Sequence, residues 1–562
     1  MMSGYPEYMQ ASLEKVKATR PARLEKAKTG REVVKRMSLA EREEVLSNFH
    51  PDYQPDARKP IRVGLNKGEE MTSRVVDLLE SYPSINPGDF DLSEPDFDTD
   101  VLIIGAGGGG CMAAIQVANA GLNSVLATKL RVGDSNSMMS QGGMQAAVNP
   151  HDNPAIHYLD AIGGGHFDNK PELVEALTMD GPMIAGYLEE LGVMWDKDSE
   201  GICNTESGGG TSRRRMLSCR DYTGAEIQRV LRDEVKNHPD KITIVEYSPA
   251  VELLLDDAGE AAGALLYNME TEEYIVVRAR SVIMSTGGYG RLHIKGFATT
   301  NHYGATADGL VMAYHAGAKL LFMDSVQFHP TGAVYPEQIL GFLITEKVRG
   351  LGGQPVNKDG ELFVFPLEPR DVEAASFIRE STKRGMGVKT PAGRVGVWLD
   401  SPIINLLSSP GTIQSSLPAM VRQFKRFNID ITEEPMLVYP TLHYQNGGIE
   451  INADTETTLA GLFAAGEVSG GVHGRNRLMG NSVLDYNVFG RRAGKAASER
   501  AKALAGREAK LSLDHVRAFR AELEDAGIPE TSHAPILIPE YRNPEVLKKH
   551  RKDYDPFIGR FL

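Results

Sequence analysis

The chain has 562 residues, of which 41% are hydrophobic and 24% charged, as in an ordinary globular protein with two or more domains. Its formal net charge of −14 argues against a nucleic-acid-binding protein, because a surface that follows a phosphate backbone needs an excess of basic residues. The first 20 residues have no apolar core, and no stretch approaches the roughly 20 apolar residues of a membrane span. We therefore expect a cytoplasmic protein without direct membrane insertion.

The first 96 residues are predicted to form a helical and extended N-terminal extension outside the main domains. Residues 8–47 are rich in Lys, Arg, Glu and Ala with scattered apolar residues, a pattern typical of surface helices. The acidic run of residues 89–100 is typical of a linker. Since so few apolar side chains cannot form an independent core, the extension should be stable chiefly by lying along another surface.

A dinucleotide-binding turn is predicted directly after this linker. An apolar strand over residues 101–104 runs into a turn with Gly105, Gly107 and Gly110 at the G-x-G-x-x-G spacing, and a helix follows over residues 111–120. Glycines at this spacing let the backbone approach a pyrophosphate. The preceding strand and the following helix give the motif the setting that it needs.

The next strand argues against a standard NAD site. It covers residues 124–128 and is followed by Lys129, where the acidic ligand of the NAD ribose would stand. Residues 281–288 form another apolar run that ends in glycines. This pattern predicts a buried strand followed either by a close backbone approach to a cofactor or by a tight turn.

A second group of motifs indicates carboxylate binding. Residues 440–448, 464–467 and 473–477 combine imidazole and guanidinium groups with glycine-rich turns. Because the acidic field of the whole chain would repel a dicarboxylate, Arg and His must reverse the local charge at such a site. Together with the first glycine turn, these residues predict a flavoenzyme that acts on an acid.

The cysteines do not predict a metal site. Cys111, Cys203 and Cys219 are the only ones in the sequence, and no pair has the spacing of metal ligands. Since an iron–sulfur cluster usually needs four thiolates, we expect three reduced structural thiols and no cluster in this chain. Any cluster must then sit on a partner.

In chain order, these motifs resemble the flavoprotein subunits of the succinate dehydrogenase/fumarate reductase family, which includes soluble fumarate reductases and aspartate oxidase. The similarity runs from about residue 100 to about residue 494. The motifs that carry it are Gln141-Gly-Gly-Met-Gln-Ala-Ala147, Asp221-Tyr-Thr-Gly224, Thr286-Gly-Gly-Tyr-Gly290, Ala305-Thr-Ala-Asp-Gly309, Gln327-Phe-His-Pro-Thr-Gly332, Thr345-Glu346, Arg349-Gly350, Arg370-Asp371, His443, Gly466-Glu467 and Asn476-Arg-Leu478.

The resemblance implies an α/β protein, α+β overall, with a Rossmann-like FAD-binding domain over residues 97–323 and 442–505. A capping domain over residues 324–441, inserted between the two parts, would close over the flavin. The extension of residues 1–96 and a short helical segment over residues 506–562 complete the chain.

The resemblance also implies the cofactor site. Gly105, Gly107 and Gly110 would face the pyrophosphate at a helix N-terminus, where backbone N–H groups and the helix dipole favour anions. Asp308 and Glu467 would bind hydroxyls of the sugar and ribitol, although acids are more often helix caps or surface residues. The implied cofactor-binding set is Gly105, Gly107, Gly110, Lys129, Ser135, Asn136, Gln141, Gly142, Gly143, Asp221, Thr286, Gly287, Asp308, Glu467, Ser482 and Val483, the last two beside the isoalloxazine.

One departure from the family bears on the flavin linkage. The membrane-bound dehydrogenases carry a histidine that bonds covalently to FAD at the position of Asn136. Because Asn cannot form that bond, we expect noncovalent FAD with a lower potential, which favours fumarate reduction over succinate oxidation.

For the substrate, the resemblance implies a dicarboxylate such as fumarate or succinate. His329 and Thr345 would bind one carboxylate, and His443 and Arg477 the other. Hydride would pass from flavin N5 to one carbon of the double bond, while Arg370 protonates the next carbon.

Arginine does not stay deprotonated, so Arg370 needs a supply of protons. The resemblance implies Glu346 and Arg349 for this role, and their spacing of three residues predicts one helical face. Without the family context, Arg370 could be a salt-bridge residue and His329 a core histidine.

Three further residues depart from the family pattern. Lys347 and Leu351 interrupt the motif around the proton relay, so its local electrostatics are expected to differ. Trp195 stands in the place of a substrate-covering Phe, where it would reshape the pocket.

Two other functions stay open. One is an aspartate oxidase or another unsaturated-acid reductase, since these share noncovalent flavin. The other is an electron-transfer flavin subunit without a substrate, which has no need of a dicarboxylate clamp. The leading hypothesis is a fumarate reductase or succinate dehydrogenase flavoprotein. Its electrons would come from an iron–sulfur subunit, and any membrane association would be through such partners. We expect the extension of residues 1–96 to dock this redox partner, with packing against the FAD-binding domain as the alternative.

Overall fold

A computed structural model describes residues 3–29, 34–292 and 296–538. The last 24 residues of the predicted C-terminal segment, 539–562, therefore lie outside the described residues.

The described residues form 16 α-helices and 22 β-strands. The α-helices are α1 (Glu7–Lys28), α2 (Leu39–Phe49), α3 (Ser73–Leu79), α4 (Gly108–Asn119), α5 (Asn136–Met139), α6 (Pro154–Gly164), α7 (Pro171–Glu190), α8 (Thr223–Lys236), α9 (Asp308–His315), α10 (Lys347–Gly350), α11 (Arg370–Ser381), α12 (Ile403–Leu407), α13 (Thr412–Ser416), α14 (Pro418–Lys425), α15 (Asn481–Ala503) and α16 (Asp514–Asp525). The strands are β1 (Arg58–Pro60), β2 (Glu70–Thr72), β3 (Tyr82–Pro83), β4 (Phe97–Ile104), β5 (Ser124–Ala127), β6 (Met144–Gln145), β7 (Thr205–Glu206), β8 (Met216–Leu217), β9 (Ile242–Val245), β10 (Ala250–Leu255), β11 (Ala261–Tyr267), β12 (Tyr274–Met284), β13 (Leu320–Leu321), β14 (Val326–Ala333), β15 (Gln354–Val356), β16 (Val388–Lys389), β17 (Val395–Asp400), β18 (Met436–Gln445), β19 (Gly448–Glu450), β20 (Leu462–Ala464), β21 (Ser469–Gly470) and β22 (His533–Ala534).

The main sheet has the Rossmann-like arrangement that was predicted. Its strand order is β10-β11-β12-β4-β5-β9, with β20 paired to β12 beside this path. The strands β20, β4, β5 and β9 join β12 in a parallel set, whereas β10 and β11 run antiparallel. Residues 101–104 of β4 are buried, as expected for an apolar strand covered on both faces. Because parallel strands end at one edge, the glycine turn after β4 lies beside the end of β12.

The second domain is a smaller antiparallel sheet inserted in the chain. Its order is β14-β18-β17-β15, with β16 paired to β17, and its core includes the buried residues Phe377, Trp398 and Phe424. Strand β18 runs past the predicted domain boundary at residue 441 to Gln445. This capping sheet, together with the main sheet, confirms the predicted fold class.

The N-terminal extension packs on this chain's own domains. Met9 and Val16 of α1 are buried in the core of the capping domain, and α2 packs on α11. Val75 and Leu79 of α3 belong to the core of the FAD-binding domain. The extension thus packs on both domains, whereas the predicted alternative named only the FAD-binding domain. Only the exposed faces of these helices are left for docking a partner.

Charged residues fix the same extension in place. Arg20 and Arg23 of α1 form ion pairs with Asp400 at 2.8 and 2.7 Å, and the Asp400 side chain is fully buried. At the other end of the chain, β22 pairs in parallel with β3. Across residues 3–29, 34–292 and 296–538, no helix is both long and apolar enough to cross a membrane.

Candidate active site

A cleft lies between the glycine turn after β4 and the capping domain, with about 1610 Å³ of empty space including its open mouth. Most of the predicted site residues share its wall, although they come from segments far apart in sequence. Those in the wall are Gly105, Gly107, Lys129, Ser135, Asn136, Gln141, Gly142, Gly143, Thr286, Gly287, Asp308, His329, Thr345, Glu346, Arg370, His443, Glu467, Arg477, Ser482 and Val483.

The glycine turn leaves one end of the cleft open to an anion. Gly105 has a φ of 103°, and a Cβ atom there would lie 2.3 Å from the carbonyl oxygen of Ser285. Helix α4 begins at Gly108, which lines the cleft with Gly107, so backbone N–H groups and the helix dipole favour a pyrophosphate there. Gly110, the third glycine of the motif, is absent from the wall. A Cβ atom on it would meet the carbonyl oxygen of Gly105 at 1.8 Å, so its role is close packing of α4 on the turn.

The predicted acids of the cofactor site are held by neighbouring groups. Asp308 is ion-paired with Lys129 and accepts a hydrogen bond from the Thr306 hydroxyl at 2.8 Å. Glu467 accepts hydrogen bonds from the Gln445 backbone N–H at 3.0 Å and from the Asn136 amide at 3.4 Å. Burial raises the pKa of Glu467 above its ordinary value. Both acids keep a defined place in the wall of the cleft.

Several buried polar atoms in the wall have no hydrogen-bond partner among the described residues. They are Gln141 Oε1, Thr286 Oγ1 and the Tyr486 hydroxyl. Buried polar groups are nearly always satisfied, so these atoms await a partner in the cleft. With the glycine turn at one end and these groups along the wall, the residues fit FAD.

Asp221, which was predicted to bind the cofactor, is absent from the wall of the cleft. Its carboxylate accepts hydrogen bonds from the backbone N–H groups of Ala419 at 3.1 Å and Met420 at 2.9 Å. These are unpaired donors in the first turn of α14. Asp221 therefore caps a helix of the capping domain from across the domain boundary.

Trp195 does not lie at the predicted place over the substrate. It is buried in the core of the FAD-binding domain, is absent from the wall, and its indole N–H donates to the Ala185 carbonyl at 3.2 Å. Trp195 therefore does not reshape the pocket.

Lys347 is turned away from the relay, since its ammonium group donates to Ser218 Oγ at 2.8 Å and to the Arg220 carbonyl at 3.0 Å.

Two neutral histidines lie at the end of the cleft under the capping domain. His329 on β14 and His443 on β18 have ring centroids 4.9 Å apart. Burial, followed by the charge of Arg370, holds the pKa of both well below the ordinary value. His329 Nδ1 accepts the backbone N–H of Thr331 at 3.2 Å, so the ring proton is on Nε2 and can be donated elsewhere.

Gln327 holds the two arginines of the site and was not among the predicted site residues. Its Oε1 accepts hydrogen bonds from Arg370 Nη1 at 2.9 Å and from Arg477 Nη2 at 2.8 Å. The Arg477 guanidinium also lies 4.3 Å from the centroid of the Tyr444 ring. Burial and the charge of Arg370 lower the pKa of Arg477 to about 9. The group is therefore still charged at neutral pH.

Behind Arg370 is the predicted chain of charged groups. Glu346 Oε2 accepts Arg370 Nε at 2.8 Å and lies 3.2 Å from Arg349 Nη2, while its Oε1 accepts the Gly209 backbone N–H at 2.6 Å. Burial alone would raise the pKa of Glu346, but the two arginines lower it to about 2. Arg349 is absent from the wall, in keeping with a group that acts through Glu346.

Arg370 forms its ion pair with Glu346 and not with the adjacent Asp371. Asp371 instead accepts a hydrogen bond from His166 Nε2 at 2.6 Å. The described residues contain no group of three or more His, Cys, Asp or Glu side chains that could hold a metal ion.

The chain is similar in sequence and in fold to known flavoproteins. Residues 100–483 match the FAD binding domain family. A fumarate reductase (CoM/CoB) subunit of Methanothermobacter marburgensis is 38% identical over 436 residues, 76% of this chain and 76% of that protein. The L-aspartate oxidase of a Nostoc species is 35% identical over 71% of this chain and 68% of that protein. A solved structure of E. coli quinol fumarate reductase FrdA has a TM-score of 0.68 at 32% identity, covering 76% of this chain and 74% of that one.

Proposed function

The chain belongs to the FAD-dependent flavoprotein family of fumarate reductases and succinate dehydrogenases, and on that premise we propose that it reduces fumarate to succinate or catalyses the reverse. The observation that carries the proposal is the shared position of two buried arginines and two neutral histidines in one cleft. A subunit that only carried electrons would not need this clamp for two carboxylates. The enzyme is an FAD-dependent oxidoreductase.

We propose that the clamp fixes the dicarboxylate at both ends. His329 and Thr345 hold one carboxylate, and His443 and Arg477 hold the other. The neutral histidines donate N–H groups, whereas the guanidinium supplies a positive charge. This charge offsets the repulsion of the dicarboxylate by the chain's net charge of −14. Gln327 keeps the two arginines in register because one oxygen accepts from both.

When bound and reduced, FAD supplies the hydride for one carbon of the double bond. Arg370 then donates a proton to the neighbouring carbon, as its position in the cleft wall allows. The ionised Glu346 stabilises the guanidinium form at rest and passes the replacement proton from Arg349. Water is kept from this end because Arg370, Arg477 and His329 are buried.

The proposal includes noncovalent FAD. Asn136 lies in the cleft wall, and its amide donates to Asn301 Oδ1 at 2.7 Å and accepts the His302 backbone N–H at 2.5 Å. An amide held in this way has no nucleophilic atom for a flavin bond. The iron–sulfur electron donor is also a proposal, supported by the three cysteines of the chain and by relatives named as subunits.

An aspartate oxidase activity is the second candidate, because a relative of that name is 35% identical. Dye-linked assays with fumarate, succinate and L-aspartate separate the candidates. Turnover with fumarate or succinate and none with aspartate supports the proposal. Turnover with aspartate alone favours the oxidase, and no turnover with a full complement of FAD favours an electron carrier.

A further inference from the structure

A second buried acid lies behind the proton relay. Glu373 is one turn after Arg370 on α11 and is fully buried. Its Oε2 is ion-paired with Arg349 Nη1, whereas its Oε1 has no hydrogen-bond partner among the described residues. A buried carboxylate with an unpaired oxygen is costly, so this site favours the neutral acid.

Burial and the neighbouring acids also favour the protonated form of Glu373. Burial, with the negative charges of Glu346 and Glu368, outweighs the positive charges of Arg349 and Arg370 and raises the pKa of Glu373 well above its ordinary value. Arg349 is already close to the ionised Glu346 at 3.2 Å. The two acids of the cluster thus differ in their surroundings: both oxygens of Glu346 accept hydrogen bonds, whereas only one oxygen of Glu373 has a partner among the described residues.

We propose that Glu373 stores the proton that resupplies Arg349, so that the relay runs Arg370, Glu346, Arg349, Glu373. The inference rests on the proposed function. Glu373 is absent from the cleft wall, so it is a positioning residue that acts through Arg349.

The proton balance follows directly. Arg370 gives its proton to the substrate carbon and receives one from Arg349 through Glu346. Arg349 takes the proton of Glu373, whose carboxylate then forms an ion pair with the recharged guanidinium. One solvent proton restores Glu373, so one solvent proton enters for each C–H bond made by proton transfer.

The N-terminal extension covers the outer side of this store. Glu368 has a fully buried side chain, and Arg42 of α2 lies 2.7 Å from its Oε2 with 25% of its own side chain exposed. The backbone N–H of Met37 donates to the other oxygen of Glu368 at 2.8 Å. Glu368, whose negative charge acts on Glu373, is thus held by two groups of the extension.

Glu373→Gln tests the proposal because it keeps the shape of the side chain and removes its acid. We expect kcat for dye-driven fumarate reduction to fall roughly 10²-fold, at the lower end of proton-transfer effects, with FAD content and KM unchanged. In the native enzyme, kcat should fall as pH rises through the raised pKa of Glu373, and this limb should vanish in the variant.

Glu380→Gln is the matched control, since Glu380 is a buried acid of the same helix that accepts from Asn357 Nδ2 at 3.0 Å. It should leave kcat and the pH profile unchanged.

An infrared measurement gives a second reading that does not depend on activity. The carbonyl band of a protonated carboxyl group should be present in the native protein and in Glu380→Gln but lost in Glu373→Gln. Unchanged kcat and pH profile in Glu373→Gln, with native fumarate reduction intact, would overturn the store and leave the proposed function standing. Absence of fumarate reduction in the native enzyme would reject the function, whatever the band shows. If Glu373→Gln does not fold, Glu373→Asp carries the test: the pH limb must shift with the new acid, and an unshifted limb overturns the proposal.

Discussion

Replacing Gln327 by Leu should slow fumarate reduction strongly without releasing FAD. The substitution introduces an apolar side chain of similar size and removes the oxygen that accepts from both arginines. Because Gln327 is absent from the cleft wall, it should not contact the cofactor. The two guanidinium groups would lose their fixed separation, which affects both the carboxylate anchor and the proton donor.

The magnitude follows from the two hydrogen bonds. A hydrogen bond to a charged group contributes about 1.5–3 kcal/mol, so the pair contributes about 3 kcal/mol at the lower end. If this is lost in the transition state, kcat/KM falls about 10²-fold, since each step of roughly 1.4 kcal/mol is a factor of ten. The assay is dye-driven fumarate reduction, with FAD measured by absorbance after release.

A matched control separates this effect from a general loss of stability. Gln354 is also buried, and its Oε1 accepts from Arg23 Nη1 at 2.7 Å, but it is outside the cleft wall. Gln354→Leu should lower the unfolding temperature and leave kcat/KM within about threefold of the native value. If Gln327→Leu also stays within that range with full FAD, Gln327 does not set the geometry of the arginines.

Four further predictions concern the cofactor and the clamp. Because Asn136 offers no covalent linkage, acid precipitation should release all yellow colour into the supernatant, and colour kept in the pellet would contradict this. Arg370→Lys and Arg370→Gln should nearly abolish fumarate reduction with FAD still bound, because neither side chain reproduces the reach and fork of the guanidinium; most of the native kcat in either variant would exclude Arg370 as the donor. Arg477→Ala should raise KM for fumarate at least about tenfold, since an anchor contributes to binding, and an unchanged KM would place it outside the pocket. His329 and His443 have lowered pKa values and are neutral on both sides of the ordinary value of about 6.5, so KM for fumarate should not fall as pH drops through that value; a clear fall would mean that a histidine gains charge there.

The local motifs could be predicted from sequence because their chemistry is local. The turn at Gly105 follows from glycine spacing between a strand and a helix, and β4 follows from a continuous apolar run. The roles of Arg370 and Arg477 came from resemblance, and they remain predictions that the shared cleft supports. The fold class and the FAD cofactor are confirmed by the sheet topology and by the family match.

The contacts that sequence reasoning did not foresee join distant segments of the chain. Asp221 caps a helix 198 residues away, and no spacing rule relates the two. Gln327 bridges arginines that lie 43 and 150 residues further along the chain. Its presence in the Gln-Phe-His-Pro motif was the available signal. Trp195 was assigned by its position among the motifs, whereas its burial in the core decides its role.

The extension shows the same limit. Its low apolar content correctly predicts that it lies along another surface, but composition does not name that surface. The contacts of α1 with the capping domain and of α2 with α11 name it for the buried faces. Whether its exposed faces also dock a redox partner stays a prediction.

Anaerobic reoxidation of the reduced flavin by fumarate tests the central claim most directly. The purified chain, loaded with FAD and reduced without any partner subunit, is mixed with fumarate, L-aspartate or buffer, and flavin absorbance and succinate are measured. We predict full reoxidation with fumarate, one succinate per flavin, and no reoxidation in the other two samples. A flavin that stays reduced in fumarate while the cofactor remains bound would contradict the account.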